Sequence, residues 1–190
     1  MSKVLAMMSE KKVNYINLSV VGSLTISSGV VSGFSSNDYL QFPDISSFNS
    51  FEMKVKFKLT QNYSDARGLI GSNSYQKMAI SPYNIRGLLR YNYNSSNTTD
   101  VNLVSYSVLT DIDCFGIFRY DNNVSYVGIS TDDISYTSNT KNIPIGATIL
   151  PPISSGIGTL KIGQGLSGGT IYLNECYIVI NAIKYKFVVE

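Results

Sequence analysis

The side chains that most often perform enzyme chemistry are scarce in this sequence. Its 190 residues include no histidine, and histidine is the commonest general base and metal ligand in proteins. Catalytic triads and histidine-based metal sites are therefore excluded. Cys114 and Cys176 are the only cysteines, too few for a zinc site, which needs more ligands. We predict no catalytic residue, no metal site and no cofactor.

Paired carboxylates are the remaining route to hydrolysis, because a glycosidase needs two suitably separated acids. The glutamates lie at positions 10, 52, 175 and 190, and the Glu-x-Asp-x-Glu spacing of jelly-roll glucanases is absent. Asp111 with Asp113, and Asp132 with Asp133, lie where turn residues are expected, and no calcium-loop spacing selects them. We predict that the protein is not an enzyme; a glycosidase that depends on Asp111 or Glu175 is the least favoured alternative.

Three lysines that alternate with apolar residues form the clearest charge pattern. Lys54, Lys56 and Lys58 would lie in one row on a strand face, because side chains of a strand alternate between faces. Such a row is either a solvated face that discourages pairing with other sheets or a surface for an acidic cell-surface polymer or an acidic protein neighbour. All three lysines are candidate ligand-binding residues.

Tyrosine is the second source of candidate ligand contacts. The chain has 14 tyrosines and no tryptophan, and an amphipathic tyrosine ring can stack on a sugar or anchor a protein interface. Tyr83, Tyr91 and Tyr93 lie nearest the predicted loop tips and are the candidates. Packing within the sheets is the alternative role for each of them, since aromatic residues favour strands.

The segment Phe51–Leu59 is the most clearly predicted strand. Apolar residues occupy every odd position, and Glu52 and the three lysines occupy the even positions. This alternation is typical of a strand with one buried face. A shift of one residue would bury the lysines, so we expect the register of this strand to be firmly specified.

Shorter strands and turns account for most of the remaining chain. A hairpin is predicted around Gly29, which can adopt the positive φ of a tight turn, and a second hairpin around Asp121-Asn122-Asn123. Other strands are predicted at residues 68–71, 76–80, 88–93, 101–108, 159–162, 170–180 and 185–189. A turn tract is expected at 94–100 and a long loop at 136–158.

These elements predict an all-β fold, an antiparallel jelly-roll β-sandwich over residues 15–190. No helical period or βαβ alternation is present, and 190 residues suit one domain. Residues 1–14 read as an N-terminal arm that either docks onto a neighbouring protein or is a frayed terminus. We expect Cys114 and Cys176 to be buried free thiols.

Charge and hydropathy limit the partners that we expect. A net charge of +2 is too small to indicate nucleic-acid binding, which needs clustered basic residues. The apolar run at residues 4–8 is too short for a signal peptide or a membrane span. We therefore predict no nucleic acid and no membrane as partners, and synthesis in a cytoplasm.

Three segments carry a resemblance to a known family. They include Ile26-Ser27-Ser28-Gly29-Val30, Ser130-Thr131-Asp132 and Gly168-Gly169-Thr170-Ile171. In this order, over about residues 15–187, they resemble the concanavalin A-like, laminin-G-like jelly-roll modules of bacteriophage virion proteins. The chain departs from that pattern at Tyr172, where the family often has an acid, and at Ala182, where a hairpin glycine is expected.

The resemblance implies a virion structural protein, either a head or tail fibre or a capsid decoration, at the virion surface after assembly in the host cytoplasm. It also implies contact with host surface carbohydrate, and in this interpretation the N-terminal arm docks to other virion proteins. The tyrosine-rich sheet surfaces favour assembly as a homodimer or homotrimer. A freestanding carbohydrate-binding module is the alternative. No binding residue of the family can be assigned to a position of this chain.

Overall fold

The computed structural model describes residues 13–43, 45, 49–63, 65, 67–72, 76–81, 84–107, 110–150 and 160–189. Within these ranges the chain forms strands and turns, and its only helical element is a 3₁₀ turn at Leu173–Glu175. The predicted all-β class is therefore confirmed. Over the same ranges, no helix has the length and apolar character needed to cross a bilayer. Residues 1–12 of the predicted arm lie outside the described ranges.

The strands form two sheets. Sheet A contains, in spatial order, the first part of β1 (Asn14–Val21), β17 (Ile183–Val189), β16 (Tyr177–Ile180), β5 (Phe51–Leu59), β10 (Asp113–Asp121), β11 (Val124–Ser130) and β12 (Thr137–Asn142). β15 (Gly169–Tyr172) pairs with the end of β5, followed by β3 (Val30–Ser32) and β2 (Thr25–Ser27).

Sheet B shares β1 with sheet A. Its order is the second part of β1, β4 (Tyr39–Gln41), β14 (Lys161–Ile162), β6 (Arg67–Gly71), β7 (Lys77–Ser81), β8 (Asn84–Tyr93) and β9 (Ser96–Ser105), and β13 (Thr148–Ile149) pairs with β8. The pairing of β1 with β17 is parallel, and the other pairings of the described strands are antiparallel. One strand thus crosses from one sheet to the other.

Two-residue turns with positive φ at both positions close four hairpins. They are Ser28-Gly29, Asn94-Ser95, Asn122-Asn123 and Asn181-Ala182. This geometry matches the right-handed twist of the flanking strands. The two predicted hairpins, at Gly29 and at Asn122-Asn123, are confirmed.

Three boundaries predicted from the sequence are wrong. The turn tract at 94–100 contains only the Asn94-Ser95 turn, and β9 begins at Ser96 because the tight turn starts pairing with β8 at once. The long loop at 136–158 contains β12 and β13 in its described part. The strand predicted at 170–180 is interrupted by the 3₁₀ turn, which separates two segments that both pair with β5.

The core lies between the two sheets, and β5 runs through its centre. The five odd-numbered side chains of β5 are at most 3% exposed, so the predicted phase of this strand is confirmed. Phe118 on β10 lies opposite Met53 of β5. Its ring packs edge-on against that of Phe51, with 5.0 Å between the ring centres. Cys114 and Cys176 are buried free thiols, as predicted.

A buried asparagine links the two sheets at one edge. The side-chain amide of Asn102 on β9 donates to the carbonyl oxygens of Ser125 and Asn139 on sheet A, both at 3.1 Å. In return, the side-chain amide of Asn139 donates to the carbonyl oxygen of Leu103 at 2.9 Å. These bonds satisfy polar groups that would be costly to bury unpaired, and they hold β9 against β11 and β12.

The turn at Asn181-Ala182 predicts a stabilising substitution. Ala182 is exposed and has a φ of 66°, a conformation that costs an L-residue with a Cβ atom about 1–2 kcal/mol. We expect Ala182→Gly to raise the free energy of unfolding by about 1 kcal/mol, because glycine adopts this conformation without that penalty. Urea unfolding measures the change.

Ala147→Gly is the matched control for this substitution. Ala147 lacks a positive φ and is partly buried against the core, so glycine there is expected to lower the free energy of unfolding by about 0.5–1 kcal/mol through the unfolded chain, with a further loss from its core contact. Loss of stability in both variants would contradict the strain assigned to Ala182.

Candidate functional site

An open groove of about 480 Å³ lies on the outer face of sheet A. Five of its side chains form one row across neighbouring strands, because each is directly opposite the next in the strand register. This groove row consists of Val179 on β16, Glu52 on β5, Arg119 on β10, Tyr126 on β11 and Thr140 on β12. The β10–β11 and β16–β17 turns border the groove through Asp121, Val124 and Ala182.

Polar contacts hold the middle of the groove row in place. The Arg119 guanidinium lies 4.4 Å from the centre of the Tyr126 ring, and its Nη1 is 4.0 Å from Oε2 of Glu52. The other carboxylate oxygen of Glu52 accepts a hydrogen bond of 2.6 Å from the Tyr177 hydroxyl. Arg119 is half exposed, so its charge is available to a ligand.

Tyr177 is a permanent donor to this network. Burial raises the pKa of its hydroxyl, and the hydrogen bond to the Glu52 carboxylate raises that pKa further. The ammonium of Lys184 lies 3.5 Å from the centre of its ring. Because the phenol stays protonated at neutral pH, Tyr177 orients the Glu52 carboxylate and does not act as a base.

The groove row combines an aromatic ring, a guanidinium, a carboxylate and a hydroxyl. Binding sites for small molecules typically combine apolar lining with a few convergent polar groups. Arg119 and Glu52 offer a donor and an acceptor side by side, and Tyr126 and Val179 offer apolar surface. The arrangement therefore suits a ligand with alternating hydroxyl groups and apolar ring faces.

The lysine row lies on the same face as the groove, and acids of the same chain balance its charge. Lys54 forms an ion pair with Asp133, and its ammonium lies 5.1 Å from the Phe115 ring centre and 5.6 Å from that of Tyr177. Only 13% of its side chain is exposed. Lys54 is thus packed into the outer face of the sheet.

Lys56 lies between two carboxylates. Its Nζ is 2.7 Å from Oε1 of Glu175 and 3.3 Å from Oδ2 of Asp113. The hydrogen bond with Glu175 is the main reason that the pKa of Lys56 is raised. Lys58 is partly buried and lies directly opposite Asp113 in the register. A ligand role for the three lysines stays a prediction, and an acidic polymer would compete there with internal ion pairs.

The three candidate tyrosines are distant from this face in the topology. Tyr91 and Tyr93 belong to β8 of sheet B, and Tyr83 lies outside the described residues. Tyr91 is 4% exposed, and its hydroxyl donates to Oδ2 of Asp100 at 3.2 Å. Its ring therefore belongs to the core and offers no face to a sugar. Tyr93 is 37% exposed and stays a candidate.

Sequence reasoning did not select Glu52, Arg119 and Tyr126 as candidates. The alternation of β5 did place Glu52 on an outer face, but 67 positions separate it from Arg119 along the chain. Only the register of β5 against β10 makes the two residues neighbours. The sequence did show polar residues at the outward positions of both predicted strands. It did not show that the two strands pair, or in which register.

The loop acids discussed as calcium ligands have other partners or are solvent-exposed. The carboxylate of Asp132 accepts hydrogen bonds from the Ser130 hydroxyl at 2.7 Å and from the backbone amides of Ile134 and Ser135 at 2.9 and 2.8 Å. This geometry confirms the turn role predicted for Asp132. Over the described residues, no group of three His, Cys, Asp or Glu side chains is arranged to hold a metal ion.

Comparison with known proteins identifies the fold. The enzymatically active domain of tailspike protein 2 of bacteriophage CBA120 matches with a TM-score of 0.58 and 10% identity, over 92% of this chain and 30% of that one. The botulinum neurotoxin serotype D binding domain matches with a TM-score of 0.57 and 14% identity, over 87% of this chain and 44% of that one. The binding domain of botulinum neurotoxin serotype D/C VPI 5993 matches with a TM-score of 0.53 and 12% identity, over 87% of this chain and 44% of that one.

These similarities confirm the predicted jelly-roll β-sandwich, and at such identities they concern the fold alone. The chain spans less than half the length of each of the three proteins. No protein-family model matches the sequence, and no curated protein matches it significantly.

The Asp132 turn predicts a pH-dependent contribution to stability. Hydrogen bonds, first that from the Ser130 hydroxyl, lower the pKa of Asp132 from 3.8 to about 2. A carboxyl group with a lowered folded-state pKa stabilises the fold above its unfolded pKa and loses this effect as the pH falls. Wild type should therefore be more stable than Asp132→Asn above about pH 4, and the difference should shrink towards pH 2.

Urea midpoints measured from pH 2 to pH 6 test this prediction. Ser130→Ala removes the strongest hydrogen bond to the carboxylate, so it should reproduce part of the loss at pH 6. An equal difference between wild type and Asp132→Asn at both ends of the range would contradict the role assigned to the ionised carboxylate.

Proposed function

We propose that this protein is a bacteriophage virion structural protein, a fibre or decoration subunit, that binds host surface carbohydrate through the groove on sheet A. The observation that carries the binding part is the groove row, in which Glu52, Arg119 and Tyr126 lie side by side on three adjacent strands. The fold does not identify a ligand, because one fold hosts many functions. The proposal therefore rests on the chemistry of this site.

A sugar fits the groove for three reasons. The guanidinium of Arg119 can donate two parallel hydrogen bonds to neighbouring hydroxyl oxygens, and Glu52 can accept from hydroxyl groups. Tyr126 and Val179 offer apolar contact to the C–H face of a sugar ring. The row crosses five strands, about 19 Å at usual strand spacing, which accommodates several sugar units in line.

We propose binding without catalysis. Hydrolysis of a glycoside by paired carboxylates needs a general acid that holds a proton near neutral pH. Glu52 accepts a hydrogen bond from the Tyr177 hydroxyl and lies 4.0 Å from the Arg119 guanidinium. Asp113 and Glu175 both contact the Lys56 ammonium. Each of these carboxylates thus has a fixed partner in the chain, and we assign them binding and structural roles.

The virion part of the proposal rests on the resemblance of the sequence to phage jelly-roll modules. Copies displayed together on a particle would bind a polymeric glycan with high avidity even when one groove binds weakly. In this proposal the N-terminal arm docks to other virion proteins, and the sandwich assembles as a homodimer or homotrimer that faces outward at the virion surface.

Substitutions in the groove row test carbohydrate binding. Arg119→Ala should weaken binding of a glycan found on an array by roughly 10–100-fold, since a hydrogen bond to a charged group contributes about 1.5–3 kcal/mol. Tyr126→Ala should also weaken binding, because the contact of its ring with the sugar is lost. Calorimetric titration of that glycan gives the affinities.

Lys161→Ala is the matched control for the groove variants. It removes a similar contact, of the Lys161 ammonium with the Tyr39 ring at 4.4 Å, on sheet B and outside the groove. Its affinity should equal that of wild type. Equal affinities of all four proteins would show that the glycan binds elsewhere, and catalytic turnover of the bound glycan would refute binding without catalysis.

The mass of the protein in solution tests the assembly part. Light scattering should give a dimer or trimer for the full chain, and a variant lacking residues 1–12 should keep the same number of subunits, because the arm serves docking alone in this proposal. A monomer in both cases would favour a freestanding carbohydrate-binding module over a fibre or decoration subunit.

A further inference from the structure

Lys77 on β7 and Arg86 on β8 lie on the outer face of sheet B. A third cation, Arg67 at the start of β6, lies beside the loop that Lys77 also approaches. Ala79 on β7 lies opposite both Gly68 on β6 and Arg86 on β8. Lys77, two residues before Ala79, lies on the same face as Arg86, because alternate side chains of a strand share a face. This outer face of sheet B is turned away from the core and from the groove on sheet A.

Two glycines leave room for Lys77 and Arg67 beside one loop. A Cβ atom built on Gly68 would lie 3.8 Å from Nζ of Lys77, so the lysine ammonium lies directly above a residue with no side chain. The carbonyl oxygen of Gln164 is 3.5 Å from the same point, and a Cβ atom built on the next residue, Gly165, would lie 3.7 Å from Nη1 of Arg67. Lys77 and Arg67 thus lie beside the same loop after β14.

The charges of this basic cluster, defined as Arg67, Lys77 and Arg86, are incompletely balanced. Asp65 pairs with Arg67 at 3.0 Å. Among the described residues, neither Lys77 nor Arg86 forms an ion pair. Within the described part of the chain, one acid, Asp65, therefore accompanies three cations.

Two arginines of the cluster also have unused hydrogen-bond donors. The Nε atoms of Arg67 and Arg86 are buried and have no hydrogen-bond partner among the described residues. Buried polar atoms of side chains are normally paired, and an unpaired one points to a missing partner. Burial lowers the pKa of Lys77, and the positive charges of Arg86 and Arg67 lower it further against the opposing effect of Asp65, so Lys77 is repelled by both arginines.

We propose that Lys77, Arg86 and Arg67 form a binding site for a phosphate or sulfate group. A tetrahedral oxyanion would accept hydrogen bonds from the guanidinium groups, which match phosphate and sulfate oxygens in pairs. It would also neutralise the cations that now repel each other. The loss of Coulomb repulsion makes an anion a better occupant than a neutral sugar.

The surroundings favour an anionic group that is attached to a polysaccharide. Leu88 lies opposite Lys77, and Val101 lies opposite Leu88, so an apolar strip continues the row beside the cations. Leu103 continues the Arg86 row in the same way. Val101 and Leu103 are 37% and 43% exposed. A sugar that carries the anion could rest its ring on this strip.

Titration with inorganic sulfate and phosphate tests the site. At constant ionic strength set with chloride, the melting temperature of wild type should rise with the logarithm of the anion concentration above Kd, because a ligand that binds the folded state stabilises it by RT ln(1 + L/Kd), where L is its free concentration. Arg86→Gln and Lys77→Met should weaken the apparent affinity at least tenfold. Both variants should melt no lower than wild type without anion, since each removes repulsion between like charges.

Arg119→Gln in the groove is the matched control, and it should bind sulfate as wild type does. This control separates the two sites: loss of glycan binding in Arg119→Gln with sulfate binding retained would leave the anion site intact. A rise that is equal in chloride and sulfate, or one that Arg86→Gln leaves unchanged, would overturn the proposal. So would a large loss of stability in both variants without anion.

Dextran sulfate and uncharged dextran distinguish the source of the anion. A gain in affinity of at least tenfold for dextran sulfate over inorganic sulfate, lost in Arg86→Gln, would support a polysaccharide ligand. Equal affinity for the polymer and the free ion would overturn the assignment of a polysaccharide as the ligand and leave a site for small oxyanions. Binding of uncharged dextran that depends on Arg86 would overturn the charge-based assignment.

Discussion

The pairing of β5 with β10 is the constraint on which the core and the groove both depend. Its register places Phe57 opposite Cys114 on the inner face and Glu52 opposite Arg119 on the outer face. A slip of one residue would turn the apolar side chains outward and the lysines inward. The apolar interior therefore also determines which charged groups meet on the outside.

The two outer faces differ in how they balance charge. On sheet A, Lys54 and Lys56 are packed against aromatic rings and each contacts an acid. On sheet B, the charges of Arg86, Arg67 and one acid, Asp65, act on Lys77, and Asp65 is paired with Arg67. Partly buried cations without partners reduce stability, and such local inconsistencies are expected mainly at functional sites. The cations of the sheet B cluster are therefore less completely balanced by acids of the chain than those on sheet A.

The β-sandwich relates this chain to proteins of several kinds without deciding among their functions. A tailspike domain and neurotoxin binding domains share the fold at 10 to 14% identity, a level at which side chains of a site are not expected to be retained. The rigid sheet explains why one architecture can serve different ligands, since residues on adjacent strands keep a fixed spacing of about 4.8 Å. Proteins that share the fold can therefore present different side chains at the same strand spacing.

The sequence by itself determined the features that depend on local geometry. The alternation in Phe51–Leu59 specified a half-buried strand, and Asn122-Asn123 specified a tight turn, because side-chain direction and φ are properties of neighbouring residues. The polar first half of β9 and the whole of β12 were missed, since edge strands are held by hydrogen bonds to a neighbour and need little apolar alternation of their own. Only the tertiary structure decided that Glu52, Arg119 and Tyr126 form one row, because strand register is set by packing between distant segments.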